Sequence, residues 1–136
     1  MANLFGLDAA GNIAYVKSTG TGTAGDPYLV QNDTFIPELK SAFIAASGNA
    51  DVASGVASTK LRVLSLAITS SAAATVKLQS GGSADLTPPF HLAANGNLTL
   101  SNELGLFETA SAAKLNAVVS GTTNYTVLVA YREVPV

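Results

Sequence analysis

The stretch KLRVLSLAIT, residues 60–69, decides the fold of this chain. After Lys60 and Arg62 it is apolar from Val63 to Ile68, except for Ser65. Successive side chains of an extended chain point to opposite faces, and here both faces are apolar. One face carries Leu64, Leu66 and Ile68, and the other carries Leu61, Val63 and Ala67. We therefore predict a central strand of a β-sandwich that is covered on both faces.

The composition is that of a chain with few charges. Its 136 residues correspond to one domain. Charged residues make up 12% and hydrophobic residues 48%, and the mean hydropathy is +0.35. About 25% charged residues is typical of globular domains. So few charges cannot coat the whole surface, so we expect a surface rich in Ser, Thr, Asn and Gly that partners also cover in part.

Several classes of function have no support in the composition. The chain has no Cys, so it forms no disulfide and has no cysteine metal site. Its net charge of −2 argues against nucleic-acid binding. No apolar run reaches the roughly 18–20 residues of a membrane span, and residues 1–12 lack the pattern of a secretion signal. We expect no cofactor, no nucleic-acid partner and no membrane partner.

The N-terminal part reads as an arm of residues 1–27, followed by a β-sandwich domain of residues 28–136. Residues 12–17, NIAYVK, are compatible with a short strand. Residues 18–27, STGTGTAGDP, are rich in Gly and Thr and predict a loop. Residues 28–31, YLVQ, predict another short extended piece.

Residues 35–47, FIPELKSAFIAAS, are ambiguous between helix and strand. Pro37 suits the first position of a helix and Gly48 suits its end. Apolar residues also recur at helical spacing, and the same residues from Lys40 onward alternate as in a strand. We favour an extended segment from about Lys40, because all later segments read as strands.

The later segments alternate clearly and are separated by turns. Gly81-Gly82 and Asn95-Gly96 are turn signals, and the second is typical of a hairpin. Pro88-Pro89 restricts residues 90–92 to a short edge piece. Strands are predicted at residues 74–80, 97–101, 114–120 and 125–134. The fold class is therefore all-β: an antiparallel, jelly-roll-like sandwich of about eight strands with an extended N-terminal arm.

No group of residues has the pattern of a catalytic site, and we expect the protein not to be an enzyme. His91 is the only histidine, and Asp85 is the nearest acid in sequence. A G-x-S-x-G nucleophile motif is absent. Glu103 and Glu108 could form a carboxylate pair of the glycosidase type, but the chain has no Trp to provide a sugar platform.

Residues 47–69, SGNADVASGVASTKLRVLSLAIT, carry a resemblance to a known family, together with four features later in the chain. These are a Gly-Gly turn, residues 92–96 (LAANG), residues 106–110 (LFETA) and a closing Tyr-Arg-Glu strand. The order resembles small virion proteins of tailed bacteriophages, of the head decoration or cement type. The Gly-Thr-rich run before residues 26–28, DPY, is similar to them too.

The resemblance implies a β-sandwich subunit, commonly a homotrimer, that is made in the host cytoplasm and belongs to the virion. It would bind the major capsid protein on the outer surface of the assembled head and stabilise contacts between capsomers. The N-terminal arm would dock on another surface, and its apolar residues are the candidate contacts: Leu4, Phe5, Leu7, Tyr15 and Val16. The alternative is a β-sandwich module of a phage neck or tail fibre with a receptor- or glycan-binding role.

Overall fold

The computed structural model describes residues 36–136, together with the backbone of residues 5–7, 13–15, 17–19 and 29–31. The chain divides into two units, Met1–Ile36 and Pro37–Val136. The predicted boundary after residue 27 stays a prediction.

The N-terminal unit contains two short antiparallel strand pairs. Strands β1 (Phe5–Leu7) and β2 (Ile13–Tyr15) form the first pair, in which Phe5 lies opposite Tyr15. Strands β3 (Lys17–Thr19) and β4 (Leu29–Gln31) form the second pair. Strands β2 and β4 lie within the two extended pieces predicted at residues 12–17 and 28–31, whereas Ser18 and Thr19, predicted as the start of a loop, pair as part of β3.

The second unit is a sandwich of two antiparallel sheets. Its ten strands are β5 (Leu39–Ser47), β6 (Ala50–Ala53), β7 (Thr59–Ser70), β8 (Ala74–Ser80), β9 (Ala84–Asp85), β10 (Phe90–Leu92), β11 (Asn97–Ser101), β12 (Phe107–Glu108), β13 (Leu115–Val119) and β14 (Asn124–Pro135). Sheet I has the order β10-β8-β13-β6, and β9 also pairs with β8. Sheet II has the order β11-β7-β14-β5, and β12 also pairs with β7. The all-β sandwich is confirmed, with ten strands where about eight were predicted.

The core lies between the two sheets. Val76 and Leu78 of sheet I and Val127 and Val129 of sheet II are fully buried. They alternate along β8 and β14 with residues that point outward, as expected for strands with one covered face. Tyr125 is also buried, and its hydroxyl donates a hydrogen bond of 2.7 Å to the carbonyl of Gly48, at the corner between β5 and β6. Burial raises the pKa of Tyr125.

Strand β7 is central, as predicted, but it is not covered on both faces. Ala130 of β14 lies opposite Ser65, and the next residue, Tyr131, lies opposite Val63, so Leu64 is an extra residue. Such a β-bulge shifts the alternation by one position. The core side of β7 consequently carries residues of both predicted faces: Leu61, Val63, Leu66 and Ile68. The second apolar face is thus a consequence of the bulge, and the other side of β7 points away from the core.

The ambiguous segment is strand β5, which confirms the extended reading. Its exposed and partly buried residues alternate without a break from Leu39 to Ser47. All nine residues pair with β14 in one continuous register. Tertiary pairing has thus overridden the local helix signals of Pro37 and Gly48.

The predicted turns form, but one of them has a different role. Gly81 and Gly82 have φ of 65° and 85° and connect β8 to β9. Asn95 has φ of 55°, and the N–H of Gly96 donates to the carbonyl of Ala93 at 2.9 Å. This turn joins β10 of sheet I to β11 of sheet II. It therefore carries the chain from one sheet to the other and does not close a hairpin.

Candidate interaction surfaces

Twelve residues on the outer face of sheet II are uncharged, and we call this part of the sheet the neutral face; the adjacent row carries Arg132, Arg62 and Glu108. Its three rows across the sheet follow from the strand register. The middle row contains Thr99, Ala67, Leu128 and Phe43, and the flanking rows contain Asn97, Thr69, Thr126, Ala45, Ser101, Ser65, Ala130 and Ser41. None of these twelve residues is charged. The low charge content of the chain is therefore visible on this part of its surface.

Two large apolar side chains stand out from this background of small residues. Phe43 is 76% exposed, and Leu128, its cross-strand neighbour, is 50% exposed. Leu39, further along β5, is 56% exposed. Phe43 and Leu128 are direct neighbours, and exposed apolar side chains in such a pair are candidates for an interaction site.

The outer face of sheet I has the opposite character, and we call it the charged face. Lys77 on β8 binds the carboxylate of Asp85 on β9, with N–O distances of 2.9 and 3.0 Å. Lys114 binds Asp51 on β6 at 2.8 Å. Exposed ion pairs of this kind contribute little stability, but they keep a surface solvated. The charged face thus differs from the neutral face, whose twelve residues form no ion pair.

Asp85 is the most perturbed carboxyl of the charged face. The Gln79 amide donates to its Oδ1 at 2.7 Å, and Lys77 donates to Oδ2. The hydrogen bond from Gln79 has the larger effect and that from Lys77 the smaller, and both hold the pKa of Asp85 below its usual value. The folded state therefore favours the carboxylate. The resulting stabilisation is present above the pKa of the unfolded chain and is lost as the pH falls through the lower pKa of the folded chain.

We expect an NMR pH titration of the full chain to show a lowered pKa at Asp85. In Gln79→Ala the pKa of Asp85 should rise towards the ordinary aspartate value, because the largest hydrogen bond to the carboxylate is gone. Thr75→Ala, on the same face of β8 but without a bond to Asp85, is the matched control. Equal Asp85 titrations in the two variants would contradict this assignment.

The residues considered for catalysis lie on different elements. His91 is exposed on β10 in sheet I, opposite Thr75. Glu103 is exposed after β11, and Glu108 on β12 binds Arg62, with 2.6 Å between Nε and Oε1. Within residues 36–136, no hydrogen bond or ion pair joins any two of His91, Glu103 and Glu108.

The predicted arm contacts have a partial structural description. The backbone of Phe5 and Tyr15 is paired in the first strand pair, and that of Leu7 is paired with Ile13. Leu4 and Val16 lie outside the described residues. The five residues remain candidate contacts.

A cleft of about 610 Å³ opens at one end of sheet II. Its polar lining consists of hydroxyl and amide side chains: Ser47, Thr69, Ser70, Ser71, Asn95, Asn124 and Thr126. Tyr125 also lines it, but this ring is only 2% exposed. The cleft is therefore suited to uncharged hydrogen-bonding groups and has no exposed aromatic platform.

The acidic and histidine side chains of the described residues do not gather into a metal centre. Within residues 36–136 and the four N-terminal strands, no three His, Asp or Glu side chains converge as metal ligands. The same part of the chain contains no helix with the length and apolar character of a membrane span.

Comparison with known proteins gives matches in structure only. No protein-family model and no curated protein matches the sequence. The fold is similar to that of a chain in the capsid asymmetric unit of cyanophage Pam1, with a TM-score of 0.50 and 16% identity, covering 85% of this chain and 98% of that chain. The sugar-binding C-terminal domain of EclA gives a TM-score of 0.39 and 18% identity over 71% of this chain and 82% of that chain.

A third, more distant match is the insecticidal delta-endotoxin Cry8Ea1 from Bacillus thuringiensis. Its TM-score is 0.30 at 16% identity, and the match covers 72% of this chain and 18% of that chain. The likeness to the phage capsid chain confirms, at the level of the fold, the resemblance to phage virion proteins.

Proposed function

We propose that the protein is a structural component of a phage virion that binds the outer surface of the assembled head and stabilises contacts between capsomers. The observation that carries the proposal is the fold shared with almost the whole length of a phage capsid chain. The neutral face supports it independently, because a free monomer would leave Phe43 and Leu128 in water.

The character of the neutral face defines how it would bind. Burying apolar surface contributes about 25 cal/mol per Å², and no charge on this face has to lose its hydration. Salt screens interactions between charges but not apolar contacts. We therefore propose that the major capsid protein offers an apolar patch and that binding depends little on ionic strength.

The arm residues and self-association complete the proposal. Leu4, Phe5, Leu7, Tyr15 and Val16 would contact the capsid alongside the neutral face, because apolar and aromatic side chains provide most of the energy of such interfaces. The protein would act as a homotrimer, as the phage resemblance implies, so that several weak contacts add up to firm attachment. It would act without enzymatic activity.

We expect the purified full chain to bind saturably to phage heads that lack it, in a cosedimentation assay, and to raise their melting temperature. Leu128→Lys should weaken binding at least tenfold, because it places a charge at the centre of the neutral face. Leu128 is half exposed, so the variant should fold normally. Binding should change little between about 50 mM and about 500 mM salt.

The matched control is Thr75→Lys, which adds the same charge to the charged face and should bind like the wild type. Equal loss in both variants would show that the capsid does not contact the neutral face. No binding of the wild type to heads, or binding to tails alone, would overturn the proposed function.

A second candidate function is a glycan-binding module, which the cleft at the end of sheet II favours. Its ring of hydroxyl and amide groups matches the hydrogen-bonding groups of a neutral sugar. A glycan array with the full chain tests this function, and Asn124→Ala should abolish any signal that the cleft produces. An array without hits would contradict the glycan-binding function and leave the structural role as the remaining candidate.

A further inference from the structure

The sandwich has four open edges, and three of them are protected. In sheet I, β6 has only four residues and carries Asp51, and β10 has only three residues and follows Pro88-Pro89. In sheet II, one edge is divided between β11 and β12, which have five and two residues. Short strands, prolines and charges are the means by which natural proteins prevent an edge from pairing with another chain.

The fourth edge, β5, has almost none of these protections. It has nine residues, contains no proline, and pairs with β14 without a bulge. Its one charged residue, Lys40, is bound to Glu133 at 2.8 Å. Among the described strands, β14 is the only neighbour of β5 in sheet II. Within residues 37–136, one row of its backbone N–H and C=O groups therefore has no strand partner.

We propose that β5 pairs with β5 of a second copy of this chain, antiparallel and about a twofold axis that passes through Phe43. This residue is the fifth of nine in Leu39–Ser47, so a register centred on it pairs the whole strand. Outward residues then lie opposite outward residues, as the two-residue period requires. The neutral faces of the two copies become one continuous surface.

The sequence of β5 is complementary to itself in this register. Lys40 lies opposite Ala46 of the other copy, so no like charges meet, and Ser41 lies opposite Ala45. Phe43 lies opposite its own copy, and cross-strand aromatic pairs stabilise antiparallel sheets. Alternate residue pairs each form two backbone hydrogen bonds. A charged or proline-containing partner strand would lose these contacts, which favours a second copy as the occupant.

This inference goes beyond the proposed function, because twofold pairing needs no capsid. It predicts an even number of chains in solution. If the protein forms threefold assemblies, β5 pairs would join one trimer to another. Capsid binding and self-pairing are therefore measured separately, and either can fail alone.

The first test uses the absence of cysteine from the chain. Residues directly opposite each other in an antiparallel pair have Cα atoms about 4.5–5.5 Å apart, which is within the range of a disulfide. Phe43→Cys in the full chain should therefore form a covalent dimer under mild oxidation, visible on a non-reducing gel. Leu128→Cys, on the next strand of the same face, should remain mostly monomeric on that gel.

Two further cysteine variants test the register of the β5–β5 pair. Leu39→Cys and Ser47→Cys should each remain uncrosslinked alone, because each would lie far from its own copy. Mixed together they should form a heterodimer, because residue 39 of one copy lies opposite residue 47 of the other. Crosslinking of either single variant as strong as that of Phe43→Cys would contradict the register.

The second test removes the pairing. Phe43→Lys places two like charges opposite each other, and light scattering should show half the wild-type mass with an unchanged circular dichroism spectrum. Leu128→Lys should keep the wild-type mass. A monomeric or trimeric wild type, together with an uncrosslinked Phe43→Cys, would overturn the inference and leave the capsid-binding proposal standing.

Discussion

Val63→Asp should unfold the sandwich domain. Val63 is fully buried on the core side of β7, where it lies opposite Tyr131 of β14 and Phe107 of β12. An aspartate there would be an unpaired carboxylate in an apolar core. The expected loss is about 4–5 kcal/mol or more, which is comparable with the whole stability of many domains. Circular dichroism and urea unfolding of the variant would measure it.

Ala67→Asp is the matched comparison, because residues 63 and 67 share one face of a straight strand. The bulge at Leu64 turns Ala67 outward, into the middle row of the neutral face. This variant should therefore fold with a stability within about 1 kcal/mol of the wild type and should lose capsid binding. Similar destabilisation by both variants would mean that β7 is regular and has no bulge.

Gly55→Ala should also destabilise the sandwich domain strongly. A Cβ atom at Gly55 would overlap the carbonyl oxygen of Ala112 and lie 2.7 Å from the carbonyl carbon of Ala113. Both are backbone atoms, so no side chain can rotate away. The loop that follows β12 would have to shift, together with the 2.8 Å bond from the Ala112 N–H to the Thr59 carbonyl.

We expect Gly55→Ala to cost about 3 kcal/mol of unfolding free energy, at the upper end for overpacking. Urea unfolding should show a lower midpoint with an unchanged slope. Ser54→Ala, at the exposed neighbouring position, should lie within about 0.5 kcal/mol of the wild type. A Gly55→Ala midpoint equal to that of Ser54→Ala would show that the two loops do not approach each other closely.

The alternation of β8 and β14 was readable from the sequence, because each strand has one core face and a period of two. Strand β7 was not readable in the same way. Its bulge inserts one residue. The sequence shows only that apolar residues occupy both the odd-numbered and the even-numbered positions. The interpretation of two covered faces followed from assuming a regular strand. Pairing with β14 decides the register, and that pairing is a tertiary property.

The candidate surface was only partly predictable. The low charge content indicated that a partner covers part of the protein, and this matches the neutral face. The residues of that face come from four strands that are distant in sequence, so only the register brings Phe43, Leu128 and Thr99 together. Phe43 also lies in the segment whose local signals favoured a helix. The strand reading that we favour puts Phe43 and Ile44 on opposite faces, and only the pairing with β14 shows that the face of Phe43 is the outer one.

The position of β14 between β7 and β5 has a consequence for the order of folding. Both neighbours precede it in the chain, and they pair with it and not with each other. Sheet II therefore cannot close during synthesis until residues 124–135 are available. Because contacts between residues so distant in sequence slow folding, the emerging chain would pass through a stage in which β5 and β7 have no partner between them.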